Sequence, residues 1–92
     1  MQLFSSGQIV ATCGVDAKMQ EDKAYADFTR KCLRLHLSGD WGDTCVEDKL
    51  LNDASLLDGG RLMSVWQYGD ERLWIITESD RSVTTLLLPE EY

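Results

Sequence analysis

The chain has 92 residues, of which 43% are hydrophobic and 27% charged, and its 16 acidic side chains against 9 basic ones give a net charge of -7. A chain of this length builds one modest core, so residues 1–92 are expected to form a single domain, and its composition excludes a wholly disordered protein. The excess of carboxylates repels phosphate backbones, which disfavours direct nucleic-acid binding and favours a basic protein partner.

The acids are concentrated. Between positions 38 and 58 six carboxylates (Asp40, Asp43, Glu47, Asp48, Asp53, Asp58) face Lys49 alone. No apolar run approaches the roughly 20 residues that span a bilayer, and no charged-then-apolar leader opens the chain, so a membrane location is not expected. Cys13, Cys32 and Cys45 make an odd count without the regular spacing of a disulfide framework, which fits reduced thiols and a cytoplasmic location.

In chain order, residues 1–6 read as a loose tail. Residues 7–14 are β-branched and apolar between two glycines, and their centre reads as a strand. Residues 15–20 allow about one helical turn, with Asp16 as its cap. A longer helix starts after Asp22 as N-cap and runs to about Leu37, with Tyr25, Phe28, Cys32 and Leu35 on its buried face. Asp27 and Lys31, four apart, form a supporting ion pair there.

The stretch Ser38-Gly39-Asp40-Trp41-Gly42-Asp43 suits neither helix nor strand and joins a helical half to a β-rich half. After it, Thr44 and Glu47 fit a reciprocal capping box, which predicts a helix over 45–58 with Val46, Leu50, Leu51, Ala54 and Leu57 on one face and Gly59 as its left-handed cap. Three strands follow, over 61–68, 72–77 and 82–88, joined by turns short enough for hairpins. Trp66 and Trp74 are placed to meet across the first hairpin. The middle strand is apolar on both faces, so it is expected to be covered by helices on one side and partly covered on the other. The fold class expected is α+β with two layers, in the order β-α-α-β-β-β, the helices packed on one face of an antiparallel sheet.

Few residues carry an obvious chemistry. Asp40, Asp43, Glu47 and Asp48 could gather a hard cation, but their spacing is not that of an EF-hand loop, and Glu47 is engaged by the capping box. Cys32 and His36 share a helix face without a paired Cys-x-x-Cys, so neither zinc nor any other cofactor is expected. His36 is read as a helix-terminal histidine that satisfies the last carbonyls, and no catalytic residue is assigned. Trp41, an indole between glycines, is either a plug that locks the loop onto the sheet or an anchor for a partner. Near the C-terminus, Asp80 is expected to pair with Arg81, which could also reach the acids of the central loop.

Taken together, His36-x-Ser38-Gly39-Asp40-Trp41-Gly42-Asp43, Glu47-Asp48, Asn52, Gly60-Arg61-Leu62-x-Ser64 and the run from Trp74-Ile75-Ile76-Thr77-Glu78-x-Asp80-Arg81-Ser82 to Leu88-Pro89-Glu90-Glu91-Tyr92 resemble a family of small uncharacterised bacterial proteins. These are plasmid-related or come from other mobile elements, and some carry the label of a type I restriction endonuclease modification subunit. That activity is not expected of this chain, because 92 residues are too few for a methyltransferase domain and no methyl-donor loop is present. The resemblance implies a mobile-element setting and no activity.

The function expected is therefore a non-enzymatic interaction module that meets a protein partner through His36, Asp40, Trp41, Asp43, Asp48, Asn52, Asp80 and Arg81. One version is an inhibitor that sets carboxylates where a defence or nucleic-acid-processing enzyme binds phosphates. The alternatives are a metal-assisted hydrolase using His36, Asp40, Asp43 and Asp80, and a homodimeric structural subunit.

Overall fold

The computed structural model describes residues 2–92. A four-stranded sheet carries helices against one face. Its elements are β1 (Gln8–Ala11), α1 (Cys13–Glu21), α2 (Lys23–Leu37), α3 (Val46–Asp58), β2 (Leu62–Tyr68), β3 (Glu71–Thr77) and β4 (Val83–Leu87), with a final 3₁₀ turn at Pro89–Glu91. The fold is α+β, as the sequence predicts, and the short turn expected after β1 is a full helix. The spatial strand order is β1-β4-β3-β2. The β2-β3-β4 meander is antiparallel, and β1 is added parallel to β4.

Alternation along the strands makes the core. Leu62, Ser64 and Trp66 of β2, Leu73, Ile75 and Thr77 of β3, and Thr84 and Leu86 of β4 are all buried and fall into one register. Val15 of α1 and Tyr25 and Cys32 of α2 pack onto them. Burying these apolar side chains at roughly 1.5 to 3 kcal/mol each is the main force holding helices to sheet. The opposite face of β3 is partly covered too, since Ile76 is buried and Trp74 lies edge-on to Tyr92 with ring centroids 5.5 Å apart.

The register overturns one expected pair. The tight turn at Gly69-Asp70 sets Tyr68 opposite Glu71, which puts Trp66 opposite Leu73 and Trp74 opposite Val65. The two indoles thus point to opposite faces, because a shift of one residue inverts the face of a strand.

The helix ends are fastened by side chains from elsewhere. Asp22 caps α2 as expected, accepting from the N–H groups of Ala24 (2.9 Å) and Tyr25 (3.3 Å). The cap of α1 is different from the expected Asp16. Thr12 is its N-cap, and the Glu91 carboxylate accepts from the Thr12 hydroxyl and from Gly14 N–H at 2.9 Å. These hydrogen bonds, that from Thr12 first, hold the Glu91 carboxyl below its usual range. Asp27 pairs with Arg30 at 3.2 Å and not with Lys31. The residues expected as a loose tail are docked from Leu3 onward. Leu3 N–H reaches Leu37 O at 2.8 Å, and the Phe4 ring stacks on Trp41 with centroids 6.4 Å apart.

Candidate functional site

The central loop and α3 run along the outer edge of β2, and they satisfy its backbone. In an edge strand every second residue turns its N–H and C=O away from the sheet, here Met63, Val65 and Gln67. Met63 N–H donates to Asn52 Oδ1 at 3.1 Å, and Met63 O accepts from Asn52 Nδ2 at 2.7 Å. Val65 N–H donates to Thr44 Oγ1 at 3.1 Å, and Val65 O accepts from Asp43 N–H at 2.7 Å. Gln67 N–H donates to Asp43 Oδ2 at 3.0 Å.

This arrangement accounts for the composition of the loop. Gly42 forms a bridge to Val65 with φ +63°, and a Cβ there would lie 2.5 Å from Val65 O and 2.8 Å from the Trp66 ring. Asp40 accepts from Gly42 N–H at 2.9 Å, which closes the turn. Trp41 is 3% exposed, edge-on to His36 at 5.5 Å, and its Nε1–H donates to Asp53 Oδ1 of α3 at 2.9 Å. It is the plug. The expected capping box is not formed, because the Thr44 hydroxyl is committed to Trp41 O (2.6 Å) and Val65 N–H; Cys45 is the N-cap of α3 and lends no side-chain bond.

His36 lies on the sheet and does not turn back to its own helix end. It is fully buried, with Nδ1 2.7 Å from Ser64 Oγ and Nε2 3.0 Å from Thr77 Oγ1. The network extends from Trp66 Nε1–H, on Ser64 Oγ at 2.7 Å, to Thr84 Oγ1, which is 2.8 Å from Thr77 Oγ1 and donates to Ser6 O at 2.8 Å. One end can only donate and the other only accept, so every proton is assigned. Thr84 gives its proton to Ser6 O, Thr77 gives to Thr84, and His36 must give Nε2–H to Thr77 and accept from Ser64 at Nδ1. Burial pushes the imidazole from its ordinary 6.5 down to about 4, and the chain of bonds favours the same neutral form.

Arg81 does not pair with Asp80 or with the central acids. Its guanidinium donates to the carbonyls of Gly60 (2.7 Å), Ser55 (3.1 Å) and Glu78 (3.1 Å), where the C-terminus of α3 concentrates negative partial charge. Asp80 instead accepts from Ser82 N–H at 2.9 Å, and hydrogen bonds from Ser82 hold its carboxyl below the usual range.

Of the residues predicted to meet a partner, His36, Trp41 and Asn52 are thus buried in the fold, and Asp40, Asp43, Asp80 and Arg81 are bound to backbone. Asp48 remains exposed beside a cavity of about 220 Å³ lined by Leu51, Arg61, Met63 and Val65. Among the described residues no three His, Cys, Asp or Glu side chains gather as a metal site. Of the set His36, Asp40, Asp43 and Asp80, His36 has both ring nitrogens engaged within the core. Burial also pushes the Cys32 thiol up to about 12, far from thiolate chemistry.

What remains open is the outer side of α3. Of its 13 residues only Asn52 is buried, whereas Leu57 is 93% and Val46 71% exposed, with Leu50 and Leu51 exposed beside them. The apolar face read from the sequence therefore faces solvent, rimmed by Glu47, Asp48 and Asp58. A helical stripe has the same periodicity whether it faces a core or a partner. No family model, curated protein or solved structure matches this chain.

Proposed function

We propose that the chain is a non-enzymatic protein-interaction module that presents α3 to a protein partner. The observation that carries this reading is the outward stripe of Val46, Leu50 and Leu57 on a helix whose inward Asn52 seals the β2 edge. Exposed apolar patches rimmed by polar groups are characteristic of docking surfaces. The rim holds three carboxylates against Lys49, so the partner that fits is an apolar groove with basic edges. The resemblance to proteins of mobile elements supports a setting in which such a partner belongs to the bacterial host.

The test compares wild type with a Leu50→Glu, Leu57→Glu double variant as immobilised bait in a bacterial lysate. Both positions are exposed, so the variant should fold. Stoichiometric capture by wild type alone, weakened further by Glu47→Lys and Asp48→Lys and by added salt, is the expected result. Equal capture by the double variant would refute the α3 surface, and capture without salt dependence would refute the basic partner. Asp53 is left untouched in these variants because it holds Trp41.

A further inference from the structure

The two edges of the sheet are treated differently. Along β2 every outward backbone group of Met63 and Val65 is paired, but β1, at the other edge, has no comparable cover among the described residues. Gln8 N–H reaches Ser82 O and Thr12 N–H reaches Leu86 O, each at 3.0 Å, on the side of β4. By the two-residue period of a strand, the N–H and C=O of Ile9 and Ala11 therefore point away from the sheet. Ile9 is 48% exposed and Ala11 is exposed as well.

Beneath this open edge lies an apolar cavity of about 150 Å³ between β1 and the helices, lined by Ile9, Ala11, Met19, Leu33 and Leu86 with Arg30 at its rim. A strand laid against β1 would place every second side chain over this cavity. We propose that the β1 edge is a docking site for an extended acidic peptide segment, which adds a fifth strand to the sheet and buries an apolar side chain in the cavity. This site is separate from α3.

Charge selects the occupant. The exposed side of α2 carries Lys23, Arg30, Lys31 and Arg34 against Asp27, a basic face on a chain whose net charge is -7. Asp27 pairs with Arg30 across 3.2 Å, both side chains largely exposed, a contact that solvent makes weak and exchangeable. A carboxylate flanking the apolar residue of an added strand would meet Arg30, which lines the cavity. A second copy of the chain is the other occupant that an open edge of this kind admits.

The probe is a seven-residue peptide alternating valine and glutamate, with a valine-lysine peptide as control, titrated into the isotopically labelled full chain. The glutamate peptide should shift the backbone amide signals of Ile9 and Ala11 and the side-chain signals of Leu33 and Met19, and bind at least about tenfold more tightly than the lysine peptide. Arg30→Glu should reverse that preference. Ala11→Pro removes an outward N–H while leaving the β1 to β4 bonds intact, and should abolish binding of both peptides. Unmoved Ile9 and Ala11 signals at millimolar glutamate peptide would overturn the proposal, as would equal affinity for the two peptides in a folded Arg30→Glu variant. A dimer in sedimentation that Ala11→Pro dissociates would also overturn it, by showing that a second copy occupies the edge.

Discussion

The side-chain amide of Asn52 pairs with the backbone of Met63 as a neighbouring strand would, giving one hydrogen bond from Nδ2 (2.7 Å) and accepting one at Oδ1 (3.1 Å). A helix thereby closes a sheet edge that would otherwise recruit another chain. Asn52→Ala leaves both Met63 groups without partners and should destabilise the protein by about 2 kcal/mol or more. Asn52→Asp should be at least as harmful, since a carboxylate can accept from Met63 N–H but repels Met63 O. Urea denaturation measures both, and faster amide exchange at Met63 would place the damage at the edge.

Gly42→Ala should be among the most damaging single substitutions. The added Cβ would lie 2.5 Å from Val65 O, a backbone atom that cannot swing aside, at a φ of +63° that alanine rarely adopts. The bridge to Val65 would open and Trp41 would lose its seat. A loss of about 2 to 4 kcal/mol, read from thermal unfolding together with a red-shifted tryptophan emission, is expected.

The buried His36 makes stability depend on pH in a predictable direction. Its folded pKa, about 4, lies below the ordinary 6.5, so the unfolded chain takes up the proton first. The neutral ring contributes fully above pH 6.5, and that contribution is lost as pH falls from 6.5 towards 4, up to about 3 kcal/mol. Asp80 and Glu91, whose carboxyls are held low, add their own loss only in more acidic solution. Denaturation midpoints between pH 7.5 and about 5 should slope downward in wild type and flatten in His36→Gln, which should also be less stable at neutral pH.

Tyr25 offers the opposite case, a substitution that should be tolerated. Its hydroxyl is buried with no hydrogen-bond partner among the described residues, and burial pushes its pKa up to about 12. Tyr25→Phe removes an unpaired polar atom and keeps the ring against Phe28 and Tyr68. Stability should be unchanged or raised by up to about 1 kcal/mol in the same denaturation assay. A loss of 1 kcal/mol or more would mean that an ordered water serves that hydroxyl.

Much of the candidate site was half legible. Trp41 in its glycine-flanked loop reads as a plug or an anchor, and packing decides for the plug. The polar residues Ser64, Thr77 and Thr84 each sit at an inward position of an otherwise apolar strand, a signal that could have led to His36, but only the aligned register brings them to one ring. Thr44 and Glu47 match a capping box by spacing, yet the Thr44 hydroxyl has a better use at Val65 N–H, which lies 21 residues away.

Local chemistry determined the elements. The cap at Asp22, the glycine breaks, the β-rich runs of three strands and the apolar stripe of α3 depend on neighbours within a few residues, and the α+β class follows from them. Tertiary structure alone decided which way that stripe faces, which Trp lies on which face of the sheet, that β1 joins β4 in parallel and that the acidic loop seals one edge while the other stays open. Those outcomes depend on contacts between residues far apart in the chain, where the same periodic pattern is compatible with a core, a solvent face or a partner.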